Sequence, residues 1–145
     1  MSIATDIADA VAAELNAAGV GTFGQTFTAQ RRVLPAFELP DLADLKVTVV
    51  PKAVLTSGAA RSLAQLDVSV DIGIQKKLGS NLDTEVASLG TLVDRIADYL
   101  RRRPLAQARY AAWSGAKNEP VYAPEHLAEH RVFTSVLTVT YGMLR

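Results

Sequence analysis

The side chains with the most chemical capacity are few. His126-Leu127-Ala128-Glu129-His130 has the H-x-x-E-H spacing that some zinc enzymes use. On a helix, His126 and His130 would share a face at i, i+4, as a metal site needs. A third protein ligand is missing, because no Asp or Glu follows Glu129 and these are the only two histidines. Pro124 just upstream and a strand pattern just downstream leave little room for a helix. The expectation is therefore a solvated helical turn rather than a metal centre. Cys is absent, which removes disulfides, thiolate ligands and thiol nucleophiles together. No glycine pattern matches a phosphate or dinucleotide loop, and no Ser sits in a nucleophile elbow. No catalytic residue, cofactor or metal is assigned, and the expected protein is not an enzyme.

Three other groups of residues stand out. Asp67 and Asp71, with Ser69 between them, alternate with apolar residues and share one strand face. Two carboxylates on one face can do acid–base work, but nothing apolar on that face would raise a pKa, so a wet polar face is expected. Arg101, Arg102 and Arg103 form a run that could hold phosphate or a partner. Their place at a helix C-terminus, where cations are favoured, explains them equally well. Tyr110, Trp113 and Tyr122 concentrate aromatic surface in one irregular stretch, either pinning it to the core or anchoring an interface.

The elements that must position these residues follow from periodicity. The 145 residues are 49% hydrophobic and 21% charged, as expected of a single globular domain spanning 1–145. Fifteen basic and fifteen acidic side chains cancel, against a general nucleic-acid binder. Residues 1–72 hold eight acids and five bases, a net of −3, and residues 73–145 carry +3. Asp6 and Asp9 fall where a signal peptide needs a basic start and an apolar core. No apolar run approaches the roughly 20 residues of a membrane span, so a cytoplasmically made chain is expected.

Ile3, Ile7, Ala10, Val11, Leu15 and Ala18 make one helical stripe, with Ser2 or Thr5 as cap and Gly19 and Gly21 as its end. Residues 22–33 read as a first strand with Arg31 and Arg32 at its far end, followed by a loop bracketed by Pro35 and Pro40. Residues 45–56 and 63–75 read as a long hairpin turning at Ser57-Gly58. Within it, Leu66, Val68, Val70, Ile72 and Ile74 face one way, and Asp67, Ser69, Asp71, Gly73 and Gln75 the other. Residues 82–103 form a second helix capped by Ser80 or Asn81 and stopped by Pro104. Residues 105–130 read as irregular, with a short strand near 109–113, and 131–144 as a closing strand. The sum is an α+β fold: a two-layer domain, an antiparallel sheet with two helices on one face.

The order of elements resembles the tail-terminator and tail-to-head joining proteins of long-tailed bacteriophages. The likeness lies in three passages. One is the opening amphipathic helix, Ile3 to Leu15. Another is Asp41-Leu42-Ala43-Asp44-Leu45-Lys46-Val47-Thr48-Val49-Val50-Pro51, leading into the hairpin that ends Asp67-Val68-Ser69-Val70-Asp71-Ile72. The last is Pro124-Glu125-His126-Leu127, followed by Phe133-Thr134-Ser135-Val136-Leu137-Thr138-Val139-Thr140-Tyr141. The resemblance implies a structural virion protein of the neck, a ring, usually a hexamer, of copies of one chain. Such a ring caps the tail tube, meets the head connector and lets DNA pass without binding it. It implies no catalytic residues and no membrane. On that reading Asp67, Ser69 and Asp71 face the channel. Arg31, Arg32, Arg101, Arg102, Arg103, Tyr110, Trp113 and Tyr122 are then candidate contacts with other subunits. Another head- or tail-completion protein and a cellular α+β ligand-binding module are the alternatives.

Overall fold

The computed structural model describes residues 2–19, 21–34 and 39–145. Helix α1 spans Ile3–Asn16. Strand β1 spans Ala29–Arg31, and a 3-10 turn, Leu39–Ala43, leads into β2, Lys46–Ala60. Then come β3, Leu63–Lys77; α2, Leu82–Leu100; β4, Ala112–Asn118; α3, Pro124–His130; and β5, Val132–Leu144. The strands form one sheet in the order β1-β2-β3-β5-β4. Part of the loop expected around Pro35 lies outside the described residues.

Alternation decides which face is buried. Val47 and Val49 of β2, Leu66, Val68, Val70, Ile72 and Ile74 of β3, and Phe133, Leu137, Val139, Tyr141 and Met143 of β5 all point to one side. They meet Ile7, Val11 and Leu15 of α1 and Leu89, Leu92, Val93, Ile96 and Leu100 of α2 in a single core. Both long helices therefore cover one sheet face, and the result is the two-layer α+β arrangement that the periodicity predicts. The Ser2 hydroxyl caps α1 by accepting the Thr5 N–H at 3.2 Å. At α2, neither Ser80 nor Asn81 makes a side-chain cap. Instead the Glu85 carboxylate reaches back to the Gly79 N–H at 2.8 Å.

Several expectations are corrected. The sheet is not wholly antiparallel, because β1 pairs with β2 in parallel. That first strand is three residues long rather than the twelve of 22–33. Residues 21–28 are turns and coil, with Gly21 and Gly24 at positive φ. The hairpin does not turn at Ser57-Gly58. Those residues pair with Gln65 and Ala64 inside the ladder, and the turn falls at Arg61-Ser62. Gly58 instead adjoins a bulge, a common role for glycine within a strand. Residues 105–130 are not irregular: Leu105, Ala108 and Ala111 are buried, and β4 and α3 follow. His126-Leu127-Ala128-Glu129-His130 does find room for a helix. α3 starts with Pro124 in its first turn, where a missing N–H costs nothing, and is ended by Arg131 in the left-handed conformation.

A buried acid ties the two helices together. Glu14 lies in the apolar stripe of α1 and is 9% exposed. Its carboxylate accepts the Ala106 N–H at 2.9 Å and stands 3.7 Å from the Arg103 guanidinium. Its backbone carbonyl accepts the Tyr99 hydroxyl at 3.2 Å. Arg103 in turn donates to the Tyr99 carbonyl at 3.0 Å and covers the Tyr99 ring at 3.9 Å. Glu14→Ala would remove the acceptor of the part-buried Ala106 bond and the partner of Arg103, and is expected to cost about 1–2 kcal/mol of stability. Glu14→Gln, which keeps an acceptor, should cost about half as much. Urea titration of both variants checks this, and equal losses would mean that the Ala106 bond carries no weight.

Tyr141 is fully buried, and its hydroxyl has no hydrogen-bond partner among the described residues. Burial, and next the Glu14 charge, push its pKa far above the ordinary value of 10. The folded state thus holds the phenol protonated while the unfolded chain releases its proton above pH 10. This contribution to stability is intact below pH 10 and is lost as pH rises beyond it. Tyr141→Phe should leave stability at pH 7 unchanged or raise it by about 1 kcal/mol, since no bond is lost. It should also flatten the alkaline decline, as urea titrations at pH 8 to 11 would show.

Candidate functional site

The opposite face of the sheet carries the polar residues, and cross-strand register arranges them in rows. One row runs Leu55, Asp67, Gly142, Ala112; the next Ala53, Ser69, Thr140, Gly115; the next Val50, Asp71, Thr138, Lys117. Of these, Asp67, Ser69, Thr138, Thr140, Gly115 and Lys117 line a shallow open concavity of about 620 Å³, together with Ala53 and Leu55 at the β2 side, and Asp71 lies outside its lining on the same face. The sheet therefore presents a concave polar side, with α1 and α2 behind it.

Asp67, Ser69 and Asp71 are brought together there as neighbouring rungs, each half-buried. Ser69 Oγ and Thr140 Oγ1 lie 3.0 Å apart. Asp67 accepts from Gln65 Nε2 at 3.1 Å. Gly142 makes room for that pair, because a Cβ there would lie 2.9 Å from Gln65 Nε2 and 3.3 Å from Asp67 Oδ1. Asp71 accepts from the Thr138 hydroxyl and has Lys52 Nζ at 3.7 Å. Lys117 is held 3.2 Å from Glu119. Hydroxyls pair across strands, Asp71 has a lysine beside it and Asp67 an amide, so this face is a polar surface rather than a nucleophile with its base.

The arginines are not gathered into one patch. Arg31 pairs with Asp9 and ties β1 to α1. Arg32 donates its backbone N–H to the Val49 carbonyl at 3.0 Å, extending the β1–β2 pairing. Arg101 pairs with Asp98 at 3.4 Å on the surface. Arg102 takes a positive φ beyond α2, and Arg103 belongs to the Glu14 lock. Tyr110 is 55% exposed and Tyr122 41% exposed, the latter with its ring 6.5 Å from Phe133. Trp113 is half-buried against the core beside Tyr141, its indole N–H without a partner.

His126 Nδ1 lies 2.8 Å from Thr134 Oγ1, and His130 Nε2 lies 3.9 Å from Glu129. Among the described residues no three His, Cys, Asp or Glu side chains are placed to hold a metal ion. No helix among the described residues is long and apolar enough to cross a membrane. Sequence reasoning missed the Glu14 lock. The available signal was an acid between Val11 and Leu15, on the stripe it should have avoided.

No protein-family model matches the chain, and no curated protein does. Among solved structures, the chain is similar to one in the virion of a native gene transfer agent particle. The TM-score is 0.59 at 15% sequence identity, and the match covers 99% of this chain and 98% of that one. At this identity the likeness is one of fold, and it runs end to end.

Proposed function

We propose that this protein is a structural, non-enzymatic subunit of a phage-like virion. In this reading it is a single-domain neck subunit whose copies close into a ring, a hexamer, between the tail tube and the head connector. The end-to-end fold match to a virion chain carries the proposal. The concave polar face supports it, since a sheet lining a channel must curve toward the lumen and stay hydrated there. Paired hydroxyls, an Asp71 carboxylate beside Lys52 and the Asp67 carboxylate give such a wall little grip on DNA. The arginines and aromatics outside the face would serve neighbouring copies or the tube and connector.

The experiment is deletion of the gene from the producing genome, followed by electron microscopy of the particles. The neck reading expects full heads and tails that fail to join, or tails of uncontrolled length. Normally joined particles would refute it.

A further inference from the structure

The sheet ends in two open edges that fit each other. β1 and Arg32 cover β2 only from Val47 to Val49. From Pro51 to Ala60, β2 has β3 on one side and no strand on the other among the described residues. Natural edges are blunted by proline, lysine and bulges. Here Pro51, Lys52 and a bulge stand at the near end and a second bulge adjoins Gly58 at the far end, with Ala53 to Gly58 regular between them. The segment beyond, Ala53-Val54-Leu55-Thr56-Ser57-Gly58-Ala59-Ala60, is exposed throughout and carries no charge. Val54 is 41% exposed and Leu55 64%. At the far edge, β4 has β5 on one side and no strand on the other among the described residues.

Direction and height also match. Each step from β2 to β3 to β5 to β4 is antiparallel, so β4 runs opposite to β2. Through the register, Leu55 stands level with Ala112, Val54 with Trp113, Ala53 with Gly115, and Val50 with Lys117. A copy rotated about an axis along the strands would thus set its β4 against this β2, antiparallel, with the polar faces continuous. Trp113 of the next copy would then lie beside Val54 on the helix side, an aromatic and β-branched pair that favours strand pairing. Charge agrees with this arrangement. Residues 1–60, with α1, β1 and β2, form one flank and hold six acids and four bases, a net of −2. Residues 78–145, with α2, β4, α3 and β5, form the other and hold seven acids and eight bases, a net of +1. Head-to-tail contact joins unlike flanks, and such a contact closes into a ring when the rotation closes.

We infer that the open β2 edge at Ala53–Leu55, beyond Pro51 and Lys52, is the docking strand for the level stretch of β4, Ala112–Gly115, of a second copy of this chain, making one continuous antiparallel sheet around the assembly. The inference rests on the ring reading and names the seam within it. The absence of native Cys allows a clean test. Leu55→Cys and Ala112→Cys are made singly and together. Within one copy the two positions lie three strand spacings apart, roughly 14 Å, too far for a disulfide. Mild oxidation of assembled particles carrying the double variant should give a denaturation-resistant ladder rising to the full ring, and each single variant only monomer. The paired variant Val54→Lys, Leu55→Lys alters exposed side chains only. It should keep the monomer's circular dichroism and abolish ring formation. Rings that form with no ladder, and that tolerate both lysines, would overturn the seam while leaving the ring standing. No ring in native particles would overturn both.

Discussion

Reversing Asp67 and Asp71 together to lysine is expected to leave particles assembling in normal number and to cut DNA delivery by about tenfold or more. Both side chains lie on the polar sheet face, Asp67 within its concavity and Asp71 beside it, where each copy in a ring would repeat them. The native face is close to neutral, with Lys52 beside Asp71. The double reversal would leave Lys52 unpaired and add positive charge at every copy. Phosphates passing within a Debye length of about 8 Å would then be attracted rather than left to slide. A tenfold slowing needs only about 1.4 kcal/mol of added barrier. Asp67→Asn with Asp71→Asn keeps hydrogen-bonding side chains without adding lysines, and should have a much smaller effect. Delivery assays alongside particle counts separate transit from assembly. Unchanged delivery by the lysine variant would remove this face from the channel.

The largest effect on stability is expected at Ile72. It sits midway along β3, the central strand, fully buried, with Val49 and Leu137 beside it in the register. α1 and α2 close the core above it, so the cavity left by Ile72→Ala has little freedom to collapse. The loss should be about 2–5 kcal/mol. In a chain of this length that lowers Tm by roughly 5–15 °C. Calorimetry of the purified subunit reads it directly. A loss below about 1 kcal/mol would mean that the two layers are not packed as a single core.

How much of this was legible in the sequence depended on whether the signal was local. β3 and β5 could be read because strict alternation at period two is written residue by residue. The stripes of α1 and α2 were equally local. β4 was not legible, because Ala-Trp-Ser-Gly-Ala-Lys-Asn has weak alternation and low strand propensity. It is a strand because β5 offers an edge and the segment after α2 returns to it. The outer half of β2 was hidden for a related reason. Ser57-Gly58 is turn chemistry in isolation, yet the ladder with β3 carries on through it to Arg61-Ser62. The polar face was visible as Asp67, Ser69 and Asp71, but not its partners Thr138 and Thr140, which lie about seventy residues away. Glu14 is the same problem at its longest range, since it meets Ala106 across 92 residues.

The arginines show how position changes meaning. Read as a run, Arg101, Arg102 and Arg103 looked like one patch. The chain leaves its helical path at Arg101, so the three diverge. Arg103 turns inward onto Tyr99 and Glu14, and Arg101 stays with Asp98 at the surface.

Cryo-electron microscopy of the intact particle, with this subunit traced, tests the central claim most directly. The account predicts a closed ring at the junction of head and tail, its lumen lined by the sheet face that carries Asp67, Ser69 and Asp71. A subunit located away from the neck, or a ring whose lumen is lined by α1 and α2, would contradict it.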